Sequence, residues 1–518
     1  MKALHIDGNG LTLEGVREVV SERRPVLLQP EARQAVDRAR AVVENLVENN
    51  RVAYAVNTGV GKLADLRIAP DAIRQLQVNL LRSHAAGVGD PLAEDVTRTM
   101  ILLRANSLAK GFSGVRAAVI DTLCEMLNRG VHPVIPSQGS VGASGDLAPL
   151  AHLGLVLIGE GEAVFRGTRM PGADALKQAD IKPLVLEAKE AISLINGTQG
   201  MLAVGLLATL QAEVLADTAD VIGALTIDAL KGTDVAFDER IQNARPHLGQ
   251  GLVAQNLRRM LEGSVIRESH RECQAVQDAY SMRCIPQVHG AVRDTLTHCR
   301  EVFEVEMNSA VDNPLVFPEE KKVGAPKRPL GAQVLGVVIS GGNFHGQPLA
   351  FALDFLTIAL SALAGISERR LERLVNPTLS EGLPPFLAPG AGLNSGFMMA
   401  QVTAAALVNE NKVLSHPASV DSITTSGNKE DYVSMGMTSA NKLLRVVANT
   451  RNVLAIEALA AAQALDFRAP LTTSKRGQAA HAAIRAVVAT FAEDRSFTPD
   501  IERVSELIAS GKLAEVLR

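Results

Sequence analysis

The sequence predicts a mainly α-helical protein in which a smaller N-terminal part of mixed structure precedes a bundle of long helices. Two observations lead to this fold class. Apolar residues recur at helical spacing over long stretches after residue 200, and alternating β-branched runs are few. The first 200 residues instead combine short helical runs with glycine-rich turns. We therefore expect an N-terminal domain over residues 1–200 and a long-helix domain over residues 201–518.

Four segments are predicted to form the long helices. The first begins near Met201, and the second lies between Leu443 and Leu465; both repeat apolar residues on one face. Residues 331–373 and 395–414 are rich in Ala and Leu, which have high helix propensity. These two segments are therefore predicted to be helical throughout.

Two long segments are predicted to be irregular. Residues 318–329 form a charged stretch bounded by prolines, as expected of a surface loop. Residues 376–396 contain four prolines and four glycines, so they cannot form a regular helix. The second segment also carries Leu383, Phe386 and Leu387, and we expect it to be packed against the protein.

Composition excludes several functional classes. The 518 residues are 47% hydrophobic, and the formal charge of −4 provides no basic field for nucleic acid or an anionic membrane. Charge-free stretches at 191–212 and 329–353 contain Asn, Gln or His, which favours core helices over membrane spans. The four cysteines form no CxxC pair and no zinc spacing. With no visible signal peptide, we expect a cytoplasmic protein without nucleic-acid or membrane partners.

Phosphate-loop, dinucleotide and metal motifs are not supported either. Residues 59–62 lack the phosphate-loop spacing, and the glycines at 390–396 follow no predicted strand. The eleven histidines include no pair at metal-ligand spacing, so no metal site is predicted. Ser144 does not lie in the GxSxG pattern of hydrolases.

The tripeptide Ala143-Ser144-Gly145 has two interpretations. One is a turn in which Ser144 or Asp146 caps a helix over residues 147–158. The other is chemical: in a tight bend, the amide nitrogen of Gly145 attacks the carbonyl of Ala143. Loss of two waters then leaves a five-membered ring with an exocyclic methylene derived from Ser144. Glycine suits this reaction because it tolerates the bend and leaves the nitrogen unhindered.

The surrounding segment, SVGASGDLAPLAHL at 140–153, resembles the signature of the aromatic amino acid ammonia-lyases. Those enzymes carry a 4-methylidene-imidazol-5-one group that forms autocatalytically. Further family motifs occur in order along the chain: YAVNTG at 54–59, NGT at 196–198, QDAYSMR at 277–283, NPL at 313–315, GGNFHG at 341–346 and SGNKED at 426–431. The resemblance implies this group at Ala143, Ser144 and Gly145, no external cofactor, and a fumarase/aspartase-like helical architecture.

The resemblance also implies catalytic roles. Tyr54 becomes the general base for the β-proton of the substrate, although tyrosine is ordinarily protonated at neutral pH. The site must therefore favour the phenolate through helix N-termini and nearby cations. Asn196 and Tyr280 orient the substrate and stabilise the enolate-like oxygen of the prosthetic group. Whether that group attacks the amine or the aromatic ring of the substrate is left open.

Other residues are implied to bind the substrate. Arg283 holds its carboxylate, with Gln277 in the same segment, and Phe344 forms a wall of the pocket. His84 and Glu430 resemble the residues found at these positions in the family members that act on L-histidine and form trans-urocanate. An imidazole has a donor and an acceptor, and burying either one unpaired costs about 1–3 kcal/mol. Glu430 binds the imidazole, acts as a base, or does both.

The resemblance implies a homotetramer whose active sites combine residues of several chains. Two departures from the family pattern, Val60 and Tyr432, affect pocket shape rather than a reacting group. Three alternative functions stay open. One is a sibling phenylalanine or tyrosine ammonia-lyase or aminomutase. The second is a silent helical assembly protein with an unmodified tripeptide. The third is a serine hydrolase that uses Ser144.

Overall fold

The computed structural model describes residues 1–272, 276–319 and 336–518. The chain forms two compact units. The first contains Met1–Leu207, Glu301–Leu353 and Ala418–Asn441, and the second contains the remaining segments Ala208–Arg300, Asp354–Pro417 and Lys442–Arg518. The predicted division after residue 200 thus differs from these units, since two later segments of the chain return to the first.

The first unit is built around one buried helix, Glu94–Ala109. Every residue of this helix from Val96 onward is buried, so neighbouring parts of the protein cover all its faces, including the polar side chains of Arg98 and Arg104. It packs against Leu13–Ser21, Pro30–Glu48 and Ala117–Arg129. The other helices that lie wholly in this unit are Ile73–His84, Leu147–Leu157, Gly172–Gln178 and Glu190–Ile195. The helix Leu147–Leu157 confirms the one predicted directly after the Ala-Ser-Gly tripeptide.

All the strands among the described residues belong to the first unit, in four small sheets. One parallel pair joins Leu4–Ile6 to Val26–Leu28. The antiparallel sheets are Val88–Pro91 with Pro136–Gln138, Val131–Pro133 with Glu162–Phe165 and Thr168–Pro171, and Leu315–Pro318 with Gly336–Ile339. The predicted mixed character of the N-terminal part is confirmed.

Four long helices begin in one unit and end in the other: Gln199–Ala229, Ile285–Met307, Gln347–Val375 and Gly436–Phe467. The first and last confirm the helices predicted from apolar spacing. The second unit also contains Glu239–Ala244, Leu248–Leu261, Val265–Glu268, Tyr280–Arg283, Met398–Leu414, Lys475–Val487 and Thr498–Ala509. The protein is mainly α-helical, as predicted.

The predicted helix over residues 331–373 is wrong in its first part. Gly336–Ile339 is a strand paired with Leu315–Pro318, and the helix begins only at Gln347. The β-branched run Val337-Val338-Ile339 and the glycines that follow favour the strand and a turn. Residues 376–396 are irregular as predicted, with Leu383 and Leu387 buried. The loop predicted at 318–329 lies outside the described residues from position 320 onward.

Two helices of the described chain are long and apolar enough to cross a bilayer, Gln199–Ala229 and Gln347–Val375. Their most apolar stretches are 72% and 61% buried inside the protein. Such burial is typical of core helices, as predicted from the polar side chains in these segments.

Candidate active site

A cavity of about 850 Å³ lies in the first unit. All of its lining residues belong to that unit, although they come from distant parts of the chain. They include seven of the residues predicted from the sequence: Tyr54, His84, Ala143, Ser144, Asn196, Phe344 and Glu430. The fold thus brings together the tripeptide, the proposed base and the two polar residues assigned to the substrate ring.

The backbone of the tripeptide makes a close contact with the turn that contains Gly197. Gly145 has a φ of +73° and forms a β-bridge with Gly197. A methyl group on Gly145 would lie 2.1 Å from the carbonyl oxygen of Gly197, so no larger residue fits there. The amide of Asp146 donates to the same oxygen at 2.7 Å. This tight, left-handed backbone fits a segment whose glycine nitrogen must approach a preceding carbonyl.

Asn196 donates a hydrogen bond to the backbone of the tripeptide. Its Nδ2 lies 2.7 Å from the carbonyl oxygen of Ser144, and its side chain is buried. In a cyclised tripeptide, this oxygen would be the ring carbonyl. A fixed donor there stabilises negative charge on the oxygen. The placement therefore fits the methylidene-imidazolone group and the role predicted for Asn196.

Glu430 contacts the side chain of Ser144 directly. Its Oε1 accepts a hydrogen bond from Ser144 Oγ at 2.5 Å. Its Oε2 accepts one from Thr425 Oγ1 at 2.7 Å, which fixes the carboxylate plane. A carboxylate held at this point can accept a hydrogen bond or a proton from a bound substrate.

Tyr54 lines the cavity and accepts a hydrogen bond through its phenolic oxygen. The backbone amide of Gly61, itself at a φ of +57°, donates to Tyr54 Oη at 3.2 Å. The Gly61 amide therefore orients the phenolic oxygen, which is the atom that a general base would present to the substrate. Lys62 and Lys429 line the same cavity.

His84 is the last residue of the helix Ile73–His84, and one of its ring nitrogens is hydrogen-bonded within the helix. Its Nδ1 lies 2.8 Å from the carbonyl oxygen of Leu80. Because a carbonyl only accepts, Nδ1 carries the proton, and Nε2 of the neutral ring is left as an acceptor. An imidazole N–H of a substrate is the complementary partner, whereas a phenyl ring offers none.

The aromatic wall of the cavity contains Phe344, which is half-buried, and His345. The His345 ring stacks on Tyr432 at 6.0 Å between centroids, and its Nε2 is 3.2 Å from the Tyr432 carbonyl oxygen. Val60 also lines the cavity. Val60 and Tyr432, two of the departures from the family pattern, thus both line the cavity.

Three predicted site residues belong to the second unit: Gln277, Tyr280 and Arg283. None of them is among the described residues that line the cavity. Tyr280 is 70% exposed, and the Arg283 guanidinium lies 4.6 Å from the centre of its ring. Their roles toward substrate therefore remain predictions.

Two acids that the sequence did not single out as functional are the buried Asp146, directly after the tripeptide, and the half-buried Glu306, which contacts Thr198. Asp146 precedes the helix Leu147–Leu157 without capping it through its side chain. Its carboxylate instead accepts from Ser140 Oγ at 2.8 Å and from the amide of Met201 at 2.9 Å. Burial raises the pKa of Asp146 to about 6. Burial also raises the pKa of Glu306, which accepts from Thr198 Oγ1 at 2.6 Å.

Arg104 supports the turn that carries Asn196. Its Nη1 donates to the Asn196 carbonyl at 2.9 Å and to Gln199 Oε1 at 3.0 Å. The side chain is completely buried, which lowers the pKa of Arg104 to about 10, and its Nε and Nη2 have no described partner. An arginine in the otherwise apolar stretch MILLRANSLA is the signal by which the sequence could have revealed it.

We expect Arg104→Met to lower kcat by about tenfold to a hundredfold while changing KM little, as for loss of a residue that supports a reacting group. Without the guanidinium, the turn no longer holds the Asn196 amide at its acceptor. Steady-state kinetics and thermal melting measure the effect. Arg98→Met is the control, because Arg98 is equally buried in the same helix and makes no described bond to this turn. Equal kinetic losses in both variants would contradict this role.

Among the described residues, no three His, Cys, Asp or Glu side chains gather as metal ligands. The described lining of the cavity contains, besides Ser144, two acids, two imidazoles, two phenols and two lysines: Glu430, Asp431, His84, His345, Tyr54, Tyr432, Lys62 and Lys429.

Comparison with known proteins gives one family match, one curated relative and two solved structures. The family described as "Aromatic amino acid lyase" matches residues 11–486. A curated histidine ammonia-lyase of Koribacter versatilis is 74% identical over 518 residues, covering all of both chains. The crystal structure of histidine ammonia-lyase from Trypanosoma cruzi has a TM-score of 0.90 at 41% identity, covering 100% of this chain and 95% of that one. Tyrosine aminomutase from Streptomyces globisporus has a TM-score of 0.91 at 40% identity, covering 99% and 98%.

Proposed function

The chain belongs to the aromatic amino acid lyase family, and we propose that it eliminates ammonia from L-histidine to give trans-urocanate, the first step of histidine degradation. The observation that carries the choice of substrate is the pair His84 and Glu430. Both line the cavity that contains Ser144, and together they offer an acceptor and a carboxylate to an imidazole ring. The 74% identical relative that bears the name histidine ammonia-lyase supports the same substrate.

The prosthetic group proposed here is a 4-methylidene-imidazol-5-one made from Ala143, Ser144 and Gly145. When present, it supplies an electron-poor double bond that makes the nitrogen of the substrate easier to remove. The chain would hold it through the Asn196 amide on the Ser144 carbonyl and through the close approach of Gly145 to Gly197. No metal or external cofactor is part of this proposal.

The elimination breaks the Cβ–H and Cα–N bonds of the substrate, forms a Cα=Cβ double bond and releases ammonia. We assign proton removal from Cβ to the phenolic oxygen of Tyr54, which the Gly61 amide orients in the cavity. Glu430 is placed to accept a hydrogen bond from the substrate ring or amine. His84 Nε2 would accept from the ring N–H of the substrate imidazole. Because a neutral imidazole has one N–H, Glu430 then accepts from the substrate amine.

In our proposal, three side chains come from another copy of the chain: Arg283 and Gln277, which are expected to bind the substrate, and Tyr280, which is expected to orient it. We propose that the chain associates with itself as a homotetramer. Large apolar side chains exposed on the second unit, such as Phe355, Ile358 and Met399, support such an association. A cytoplasmic location is supported by Cys124 and Cys284, which form no disulfide among the described residues.

Mixing two inactive variants tests whether active sites are shared. Ser144→Ala and Arg283→Met chains, each inactive alone, are expected to regain a measurable fraction of activity when coexpressed. Some sites in the mixed oligomers would combine an intact Ser144 from one chain with an intact Arg283 from another. The control combines both substitutions in one chain and coexpresses it with either single variant. Activity recovered in the control as well, or in neither mixture, would contradict shared sites.

The closest alternative is a sibling activity on the same scaffold, since a tyrosine aminomutase has a similar fold. We expect kcat/KM for L-histidine to exceed that for L-phenylalanine and L-tyrosine by at least about a hundredfold, because an aromatic ring without nitrogen leaves His84 and Glu430 unpaired. Assaying the three amino acids side by side measures this ratio. His84→Leu is expected to reduce it, and faster turnover of phenylalanine by the unaltered enzyme would contradict the proposed substrate.

A further inference from the structure

A second cavity, of about 340 Å³, lies in the first unit and shares no lining residue with the first. Its charged lining is predominantly basic. Four arginines, one acid and one histidine contribute to it: Arg23, Arg98, Arg129, Arg166, Glu94 and His132. Nothing in the proposed lyase reaction uses these side chains.

Arg98 is the buried cation of this cavity, with only 2% of the residue exposed. Its Nη1 donates to the Leu127 carbonyl at 3.2 Å and contacts His132 Nε2 at 3.1 Å, and its Nη2 donates to the Val19 carbonyl at 2.7 Å. Its Nε has no partner among the described residues. No carboxylate is among its hydrogen-bond partners there, so its positive charge is held in place by neutral acceptors.

The lining of the cavity contains four arginines and one acid. Arg23 pairs with that acid, Glu94, at 2.5 Å. Arg129 donates to the carbonyls of Ala179 and Asp180, and its Nη1 lies 3.5 Å from the Asp180 carboxylate, which is fully exposed and outside the lining. Arg166 lies in the turn between Glu162–Phe165 and Thr168–Pro171. Its exposed guanidinium is 4.9 Å from the Phe165 ring, and it donates no described hydrogen bond.

His132 is a neutral donor beside these cations. Burial, followed by the charges of Arg98 and Arg23, holds the pKa of His132 at about 4 against the opposing effect of Glu94. Because Nε2 accepts from Arg98, the ring proton is on Nδ1, 3.5 Å from Glu94 Oε2. The buried donors of this cavity therefore face an acid that is itself 43% exposed and already shared with Arg23.

We propose that this cavity binds a small dianion, either a phosphate or a dicarboxylate, between Arg98, Arg23 and Arg166. Planar guanidinium groups hold such oxyanions through paired hydrogen bonds. A dianion would balance the excess of arginines over acids in the lining. The cavity lies at the lower end of the volume range of small-molecule sites, which suits a ligand of a few heavy atoms.

The test is thermal melting of the full-length enzyme titrated with sodium phosphate or sodium succinate, with sodium chloride keeping the ionic strength constant. We expect a saturable rise in Tm with one or both dianions and none with chloride. Saturation by phosphate alone identifies a phosphate site, and saturation by succinate alone identifies a dicarboxylate site. Isothermal titration calorimetry with the effective anion then gives the dissociation constant.

Variants with opposite expected effects separate this site from general anion stabilisation. Arg166→Ser is expected to raise the dissociation constant about tenfold or more, because it removes one guanidinium. Glu94→Gln is expected to lower it, because it removes the competing acid and frees Arg23. Arg169→Ser is the matched control: Arg169 is exposed in the same hairpin but pairs with Glu162 and does not line the cavity. Absence of saturation, or equal dissociation constants in all variants, would overturn the proposal.

Discussion

Ser144→Ala is expected to abolish ammonia release from L-histidine, with at least about a 10⁴-fold loss of kcat/KM, as when a group that supplies the chemistry itself is removed. The reason is chemical: only a side chain with a hydroxyl on Cβ can lose water to give an exocyclic double bond, and alanine has none. The folded structure loses little, because Ser144 Oγ makes one described hydrogen bond, to Glu430. Urocanate formation, monitored by absorbance, and thermal melting are the measurements.

The control for Ser144 is Ser426→Ala, since Ser426 lines the same cavity without a described side-chain hydrogen bond. That variant is expected to keep activity within about tenfold, as for a residue that neither reacts nor supports a reacting group. Activity retained by a folded Ser144→Ala enzyme would remove the modified serine from the mechanism.

Tyr54→Phe is expected to lower kcat by about 10²- to 10⁴-fold, the usual contribution of a general base. Phenylalanine keeps the ring and its packing but has no oxygen to accept the β-proton or the hydrogen bond from Gly61. The Tyr54→Phe chain should still be lighter than its own sequence mass by two water molecules, which would place the defect in catalysis and not in formation of the prosthetic group. Steady-state kinetics with L-histidine measures the loss.

Tyr432→Phe is the matched control for Tyr54, because Tyr432 also lines the cavity and stacks on His345. It is expected to keep most of the activity. A Tyr54→Phe enzyme with kcat within a few-fold of the parent would mean that another group, such as Glu430, takes the proton.

Local patterns were sufficient to predict most of the helices. Periodic apolar residues gave the helices Gln199–Ala229 and Gly436–Phe467, because each buries one stripe or more of its surface. They failed at 336–339, where the Ala- and Leu-rich composition of the longer segment outweighed a short β-branched run that pairs with Leu315–Pro318. Strand pairing depends on a distant partner, which a local pattern does not contain.

The boundaries of the two units could not be predicted from the sequence, because they too depend on contacts between residues distant in the chain. Glu301–Leu353 and Ala418–Asn441 join the first unit through contacts with residues far away in the chain. These two segments bring Phe344 and Glu430 to the cavity. The family motifs predicted that these residues belong to the site, but only the fold shows which unit holds them.

Within the site, residues that react were easier to predict than residues that support them. Tyr54, Ser144 and Glu430 lie in motifs with chemical meaning. Arg104 and Glu306 lie in helices, where the sequence around one polar residue does not distinguish a supporting role from an ordinary one. Their hydrogen bonds to Asn196 and Thr198 depend on how the helices pack. The close approach of Gly145 to Gly197 likewise joins residues about fifty positions apart.

The most direct test of the central claim is the intact mass of the purified chain. If residues 143–145 cyclise and dehydrate, the mass is lower than that of the sequence by two water molecules, and the Ser144→Ala chain has lost neither. Because the chain contains no Trp, added near-ultraviolet absorbance should accompany the change. A chain with the full sequence mass would favour a silent assembly protein, or a serine hydrolase if a serine-directed phosphonate labels Ser144. A full-mass chain that still converts L-histidine to urocanate would contradict the proposed mechanism.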